Sequence, residues 1–186
     1  MFPANLERQQ LTTKQDIKEH CQFFWHRQSR KTFRRYLSVD AYVLENESSV
    51  FLYKKQGEDR LYHPKDEVCP LEKDDFAIGI MTEFQLGMLK KLGNHIICLD
   101  ATHGMNAYDF KLITVLVIDE YREGIPVAWL LCNRETYTAL SLFLSLLRHQ
   151  VGSLNPSVIV TDKAPQYHSA FVDVFQLNCS KKLLCN

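Results

Sequence analysis

Apolar runs separated by short polar turns predict three consecutive strands in the middle of the chain. The first run begins at Ile96 and ends on Asp100, the second spans 110–118 and the third spans 125–131. Because the turns between these runs are short, successive strands are expected to pair antiparallel. The pattern therefore predicts an antiparallel meander in which Asp100 stands at the end of the first strand.

After the third strand the apolar residues recur at helical spacing. Asn133 is expected to cap a helix, 158–160 form a short strand that leads to Asp162, and Pro165 suits the start of another helix. Residues 182–185 begin a last strand. A helix before 158–160 allows that strand to run parallel to the first. This order predicts an α/β fold with a mixed sheet, similar to ribonuclease H.

The first 75 residues predict an α+β extension. Thr13 is expected to cap a helix that frays by Ser29, and alternating apolar residues in 41–45 and 49–54 predict a β-hairpin. The polar, turn-rich segment 56–70 marks the boundary region, which gives an extension at 1–75 and a main domain at 76–186. Thr82 and Gln85 form a capping box for a helix ahead of the first strand of the meander.

Composition narrows the class of protein. The 186 residues are 46% hydrophobic and their formal net charge is zero, so any nucleic-acid binding must rest on a local basic patch. None of the six cysteines forms a C-x-x-C pair, which indicates a reducing compartment. The N-terminus is not a signal peptide, and no apolar run has the length of a membrane span. We expect a soluble intracellular protein without membrane contact.

Asp100 and Asp162 are the candidate metal ligands because each follows a strand. If those strands are parallel neighbours, their carboxyl ends meet at one edge of the sheet, and two carboxylates there suit Mg²⁺. The alternatives are an acid that begins a turn for Asp100 and an acid that initiates a helix for Asp162. His103 is a ligand, a proton shuttle or a residue bonded within its own turn.

Other polar residues allow weaker interpretations. Asp109 and Asp119 flank the second strand and are expected to serve its turns. Cys179 and Cys185 are too few to define a zinc site. A basic cluster in the N-terminal extension is either a DNA-phosphate or nuclear-import patch, or a solvated helix face. Its members are Arg27, Arg30, Lys31, Arg34 and Arg35.

Three sequence blocks carry a family resemblance. They are ICLDATHGMNAYDFKLITVLVIDE, GIPVAWLLCNRE and VIVTDKAPQ, in that order. Together they resemble the Mutator-like (MULE) transposase domain, and are most similar to the domesticated relatives carried by SWIM zinc-finger proteins. The similarity runs from Thr82 to Cys185, and the upstream stretch from Thr12 to Phe76 resembles the segment that precedes that domain.

The resemblance implies a DDE-type integrase core with Asp100 and Asp162 as the first two acids and Mg²⁺ or Mn²⁺ as cofactor. Cys185 matches a cysteine of the family. The third acid, a glutamate on a late helix, and the SWIM finger have no counterpart, so the chain is expected to be truncated and zinc is not expected. DNA, a homodimer or larger transposase assembly, and a nuclear location are further implications.

The functional expectation has one principal form and two rivals. The principal form is a transposase-derived domain whose ancestral reaction is metal-dependent DNA cleavage and strand transfer, and which is inactive in this chain by itself. The first rival is a domesticated, non-catalytic protein that binds DNA or a partner protein. The second is a gene fragment with no independent role.

Overall fold

The computed structural model describes residues 33–65, 68–102, 110–161, 164–176 and 182–185. Within these ranges there are four helices: α1 (Phe33–Glu45), α2 (Glu83–Leu92), α3 (Tyr137–Val151) and α4 (Pro165–Phe175). The strands are β1 (Val50–Lys54), β2 (Leu61–His63), β3 (Ala77–Ile80), β4 (Ile96–Thr102), β5 (Lys111–Ile118), β6 (Gly124–Cys132), β7 (Val158–Thr161) and β8 (Lys182–Cys185).

All the described strands belong to one sheet with the order β2-β1-β3-β6-β5-β4-β7-β8. β4, β5 and β6 pair antiparallel, as their short connections predict. β7 pairs parallel to β4, and β8 pairs parallel to β7. The predicted meander and the predicted parallel strand are therefore confirmed, and the fold is a mixed α/β sheet.

The two faces of the sheet are covered differently. On one face, α2, α3 and α4 pack their apolar residues on β4, β5 and β6, with Phe143 of α3 and Phe171 of α4 completely buried. On the opposite face, α1 covers a second core that contains Trp129. Residues of α1 contact this core at Val39, Tyr42 and Val43. That spacing places them on one side of a helix.

The predicted hairpin at 41–45 and 49–54 is only half correct. Residues 41–45 belong to α1, and Leu44, one of the alternating apolar residues, is 78% exposed. The apolar residues of α1 follow helical spacing. The helix forms instead of a strand because its apolar side can pack on the sheet. The second run forms β1, whose partners are β2 and β3. β2 lies within the polar, turn-rich segment 56–70, where no strand was predicted.

Helix starts were predicted with mixed success. The capping box at Thr82 and Gln85 is formed, and Pro165 lies in the first turn of α4. Asn133 does not cap α3, because the cap is Thr136, whose hydroxyl accepts from the backbone N–H of Ala139 at 3.1 Å. The helix expected from Thr13 lies outside the described residues. No helix in the described ranges is long and apolar enough to cross a bilayer.

The sheet continues across the predicted domain boundary. β1 and β2 precede residue 75, and β1 pairs with β3, which in turn pairs with β6. The division into 1–75 and 76–186 stays a prediction.

Candidate functional site at the β4–β7 edge

Asp100 lies inside β4 rather than at its end. It is in register with Thr114 of β5, and two more residue pairs follow it in that antiparallel ladder. On the other side of β4, the parallel pairing with β7 ends one residue earlier, at Leu99 and Thr161. The interpretation of Asp100 as an acid that begins a turn is therefore wrong. Its side chain is exposed at the point where the described part of β7 stops.

An exposed aspartate inside an internal strand is unusual. Aspartate is depleted in strands because its short polar side chain competes for backbone hydrogen bonds and packs poorly on a pleated surface. β4 has a neighbour on each side, and the residues that flank Asp100 on the opposite face, Leu99 and Ala101, pack against the helix-covered core. β4 therefore contains a residue with a low preference for strands. Such a conflict between local preference and structure is typical of functional positions.

Asp162 lies outside the described residues, directly after Thr161 in the chain. Thr161 is in register with Leu99, the residue before Asp100. The described ends of β4 and β7 therefore lie at the same edge of the sheet, which is the condition that the sequence argument required. Whether the two carboxylates share a metal ion stays a prediction.

A row of side chains runs from Asp100 across the sheet. Thr114 is in register with Asp100 and with Trp129 of β6, so the three residues lie on the same face. Thr114 is 3% exposed and Trp129 is fully buried. The Thr114 Oγ1 and Trp129 Nε1 atoms have no hydrogen-bond partner in the described part of the chain. We call Asp100, Thr114 and Trp129 the polar row. Sequence reasoning missed it because register depends on distant strand pairing.

Cys98 lies two residues before Asp100 on the same face of β4 and is half-buried. Burial raises the pKa of its thiol, and the charge of Asp100 raises this pKa further. The thiol therefore stays protonated at neutral pH and is a poor metal ligand. This leaves the carboxylate of Asp100 as the hard donor on this part of β4.

The donor chemistry at this edge fits a hard divalent cation. Mg²⁺ and Mn²⁺ take carboxylate oxygens and retain water, so Asp100 and Asp162 are suitable ligands for either ion. Across the described ranges, no group of three or more His, Cys, Asp or Glu residues is placed to hold a metal. His103, Asp109 and Cys179 lie outside those ranges, and the side chain of Cys185 in β8 is likewise not described.

Asp119 serves a turn, as predicted. Its Oδ1 accepts from the backbone N–H groups of Tyr121 at 2.9 Å and Glu123 at 2.8 Å. These bonds fix the connection between β5 and β6, where Arg122 adopts a positive φ of 64°. The Asp119 carboxylate is therefore hydrogen-bonded within the turn.

The basic cluster is only partly described. Arg27, Arg30 and Lys31 lie outside the described residues, and Arg34 and Arg35 lie in the first turn of α1. No acidic residue is present in that turn. The role of the cluster stays a prediction.

A second group of polar side chains lies far from Asp100. Lys54 is fully buried at the end of β1, and its Nζ donates to the carbonyl oxygens of Glu72, Lys73 and Asp75 at 2.6–2.7 Å. Arg134 Nε donates to Asp75 Oδ1 at 2.6 Å. We call Lys54, Glu72, Asp75, Asn133 and Arg134 the polar clamp.

Asn133 completes the polar clamp. Its Oδ1 accepts from the Phe76 backbone N–H and its Nδ2 donates to the Asp74 carbonyl, both at 2.8 Å. The clamp fixes the loop at 72–76 against the end of β6. Every contact in it is made within the protein, so it is a structural feature rather than a candidate binding site.

Fold and site together define a mixed α/β domain with an exposed carboxylate on an internal strand, beside the end of a parallel neighbour. Residues 96–186 match the family model of the MULE transposase domain. This match confirms the resemblance over these residues. No curated protein and no solved structure matches the chain.

Proposed function

We propose that residues 96–186 form a transposase-derived, ribonuclease H-like domain whose ancestral reaction is metal-dependent cleavage and strand transfer at DNA phosphodiesters, and which is inactive in this chain by itself. Asp100 and Asp162 are the proposed metal ligands. The observation that carries the proposal is the exposed Asp100 inside an internal strand, one residue beyond the last β4–β7 pair. The transposase ancestry rests on the family match.

The strand order supports a ribonuclease H-like core. From β6 to β8 the order is β6-β5-β4-β7-β8, in which three antiparallel strands are followed by two parallel ones. α3 connects β6 to β7, and α4 connects β7 to β8. This is the connectivity that the sequence predicted for that fold, and it makes β4 and β7 parallel neighbours. β4 contains Asp100, and Asp162 directly follows β7 in the sequence.

The chemistry follows from oxygen ligands held at an exposed edge. A bound Mg²⁺ or Mn²⁺ ion supplies Lewis-acid stabilisation for the oxygens of a phosphodiester. The residues of this chain bind and orient: Asp100 presents its carboxylate from a strand fixed by β5 on one side, and Asp162 follows the strand on the other side. A rigid strand holds a ligand more accurately than a loop does.

DNA contact is proposed for the basic cluster at Arg27, Arg30, Lys31, Arg34 and Arg35. Equal numbers of acidic and basic residues, 22 of each, give no general attraction to DNA, so the contact must be local. A homodimer or larger assembly and a nuclear location belong to the same proposal, as implications of the transposase resemblance.

The first test measures metal binding by the whole chain. Titration with Mn²⁺, followed by the electron paramagnetic resonance signal of the free ion, should show binding that Asp100→Asn weakens by about tenfold or more, since it removes a charged ligand. Asp119→Asn is the matched control, because this aspartate serves a turn and should leave the affinity unchanged. Equal affinities for wild type and Asp100→Asn would contradict the metal assignment.

A nicking assay on supercoiled DNA then tests catalysis. We expect no robust nicking, because two carboxylates hold a metal pair less completely than catalysis requires. Mg²⁺-dependent nicking that Asp100→Asn abolishes and Asp119→Asn retains would show a complete catalytic site instead.

The second candidate function is non-catalytic binding of DNA or of a partner protein. The balanced charge favours it, because a dedicated DNA-processing surface is normally basic. DNA binding that needs no metal and survives Asp100→Asn combined with Asp162→Asn would favour this candidate. A combined Arg34→Ala and Arg35→Ala variant should weaken such binding and reduce its salt dependence.

A further inference from the structure

Two buried polar atoms beside Asp100 have no partner in the described part of the chain. They are Thr114 Oγ1 and Trp129 Nε1, on side chains that are 3% and 0% exposed. A buried donor or acceptor without a partner is strongly unfavourable, and such atoms in folded proteins are normally paired with protein, water or ligand. Two of them side by side therefore require an explanation.

The strand register places Thr114 next to Asp100 and Trp129 on the far side of Thr114. Thr114 faces Asp100 on one side and Trp129 on the other. Directly opposed residues on antiparallel strands have Cβ atoms about 4.5–5.5 Å apart, which is within the reach of one hydrogen bond or one bridging water. The three side chains therefore form a continuous line from the core to the exposed carboxylate.

The hydrogen-bonding capacities along this line occur in a definite order. The indole of Trp129 is a donor only, the hydroxyl of Thr114 is both donor and acceptor, and an ionised Asp100 is an acceptor only. Only one direction of bonding uses all three groups. In that direction Trp129 donates toward Thr114 and Thr114 donates toward Asp100, in each case through a bridging water, because neither atom bonds directly to an atom of the described residues.

We propose that Thr114 and Trp129 are positioning residues that orient the Asp100 carboxylate through this relay of hydrogen bonds, bridged by ordered water. The inference rests on the proposed function insofar as Asp100 binds the metal. Partners of this kind fix the orientation of a ligand, and their removal commonly weakens metal binding by about 10- to 100-fold. The relay also gives a reason for a threonine at a buried site where the neighbouring strand positions are apolar.

Mn²⁺ affinity of the full chain tests the relay. Thr114→Val keeps the shape but removes the hydroxyl, and should raise the dissociation constant about tenfold. Thr114→Ser keeps the hydroxyl and should stay within about twofold of wild type. Trp129→Phe removes only the end of the relay and should give about a threefold increase. Wild-type affinity in Thr114→Val, or equal losses in the valine and serine variants, would overturn the proposal.

A metal-free double-mutant cycle separates the relay from the proposed function. The urea midpoint is measured for wild type, Thr114→Val, Asp100→Ala and the double variant. The relay predicts that the effect of Thr114→Val largely disappears once Asp100 is replaced, because the shared bond is already lost. Strictly additive effects would overturn the relay. Coupled midpoints in a protein that binds no Mn²⁺ would support the relay and overturn the metal assignment.

Should Thr114→Val fail to fold, Trp129→Phe carries the same cycle with Asp100→Ala, and Thr114→Ser, which keeps the hydroxyl, is its control. Trp129→Phe has to couple to Asp100→Ala although the two side chains are not adjacent. A merely structural tryptophan would instead give additive midpoints, which would overturn the proposal.

Discussion

The polar clamp and the polar row each contain buried polar groups beside exposed charged ones, yet they differ in how completely the buried groups are paired. In the clamp, the Lys54 amine donates to three carbonyls and Asn133 uses both ends of its amide. In the row, a hydroxyl and an indole N–H lack partners among the described residues. In the clamp the buried polar groups therefore stabilise the fold, whereas in the row they remain available for a bridging water or a ligand.

The buried charge of the clamp, on the Lys54 amine, is also stabilised by its neighbours. Burial lowers the pKa of the Lys54 amine, while nearby Cys69 and Asp75 act in the opposite direction. The three carbonyl acceptors match the three N–H bonds of the charged ammonium group. In the row, the one charged side chain is exposed at the edge. We therefore expect changes in the clamp to affect stability and changes in the row to affect binding.

The largest expected effect is that of Lys54→Met. The methionine fills similar space but leaves three carbonyls without their donor, so the free energy of unfolding should fall by about 3 kcal/mol. Urea denaturation measures it. Lys55→Met is the control, because the Lys55 amine pairs at 2.8 Å with a partly exposed Asp40, and should lower stability by less than about 1 kcal/mol. Equal losses in the two variants would remove the distinction between the clamp and an ordinary surface pair.

A smaller effect should appear at high pH through Cys132, which lies beside the clamp. Burial, with Glu135 and Asp75, raises the pKa of this thiol to about 12. The folded state therefore keeps a proton that the unfolded state releases near pH 9, and the stability that this provides is lost as pH rises toward 12. Between pH 9 and 11, wild type should lose about 2 kcal/mol more than Cys132→Ala.

Cys98 provides the matched measurement on the face of the polar row. Its thiol is only half-buried, and burial, with Asp100, raises its pKa. Cys98→Ala should therefore change the same pH dependence less than Cys132→Ala does. A larger change for Cys98→Ala would mean that the row is sealed from water better than the clamp.

The smallest difference in stability is expected between a variant of the clamp, Asn133→Ala, and a variant of the row, Asp100→Asn. Asn133→Ala should lower the free energy of unfolding by about 1–2 kcal/mol, because two backbone groups lose their partners. Asp100→Asn keeps an oxygen acceptor and should change it by less than about 0.5 kcal/mol. Urea midpoints and Mn²⁺ titrations of both variants provide the comparison. Lower metal affinity in Asn133→Ala with unchanged stability would contradict the assignment of the clamp as purely structural.

Features that depend on neighbours in the chain were predictable. The apolar runs of β4, β5 and β6 gave the meander, and the capping box at Thr82 and Gln85 was visible as a pair three residues apart. The turn role of Asp119 was predictable for the same reason. The error at 41–45 shows the limit of such patterns, since a short apolar segment fits both periods and packing decides between them.

At the candidate site, the sequence predicted the identity of Asp100 as a candidate ligand but not its position within the strand. Its importance followed from an apolar run that ends in an acid and from the resemblance of the surrounding block. Its true place, inside β4 and one residue beyond the last pair with β7, was not predictable. Strand ends depend on which neighbours are present, and those neighbours come from residues 111–118 and 158–161.

The sequence by itself determined the order of elements from β4 to β8, the start of α2 and the candidate acids. Tertiary structure alone decided that Lys54 is buried among carbonyls 18 to 21 residues away, and that Asn133 binds a backbone N–H 57 residues away instead of capping a helix. It also decided that Thr114 and Trp129 stand in line with Asp100. Helical and strand periods are local properties of the chain, whereas burial, register and the pairing of polar atoms arise only when distant segments meet.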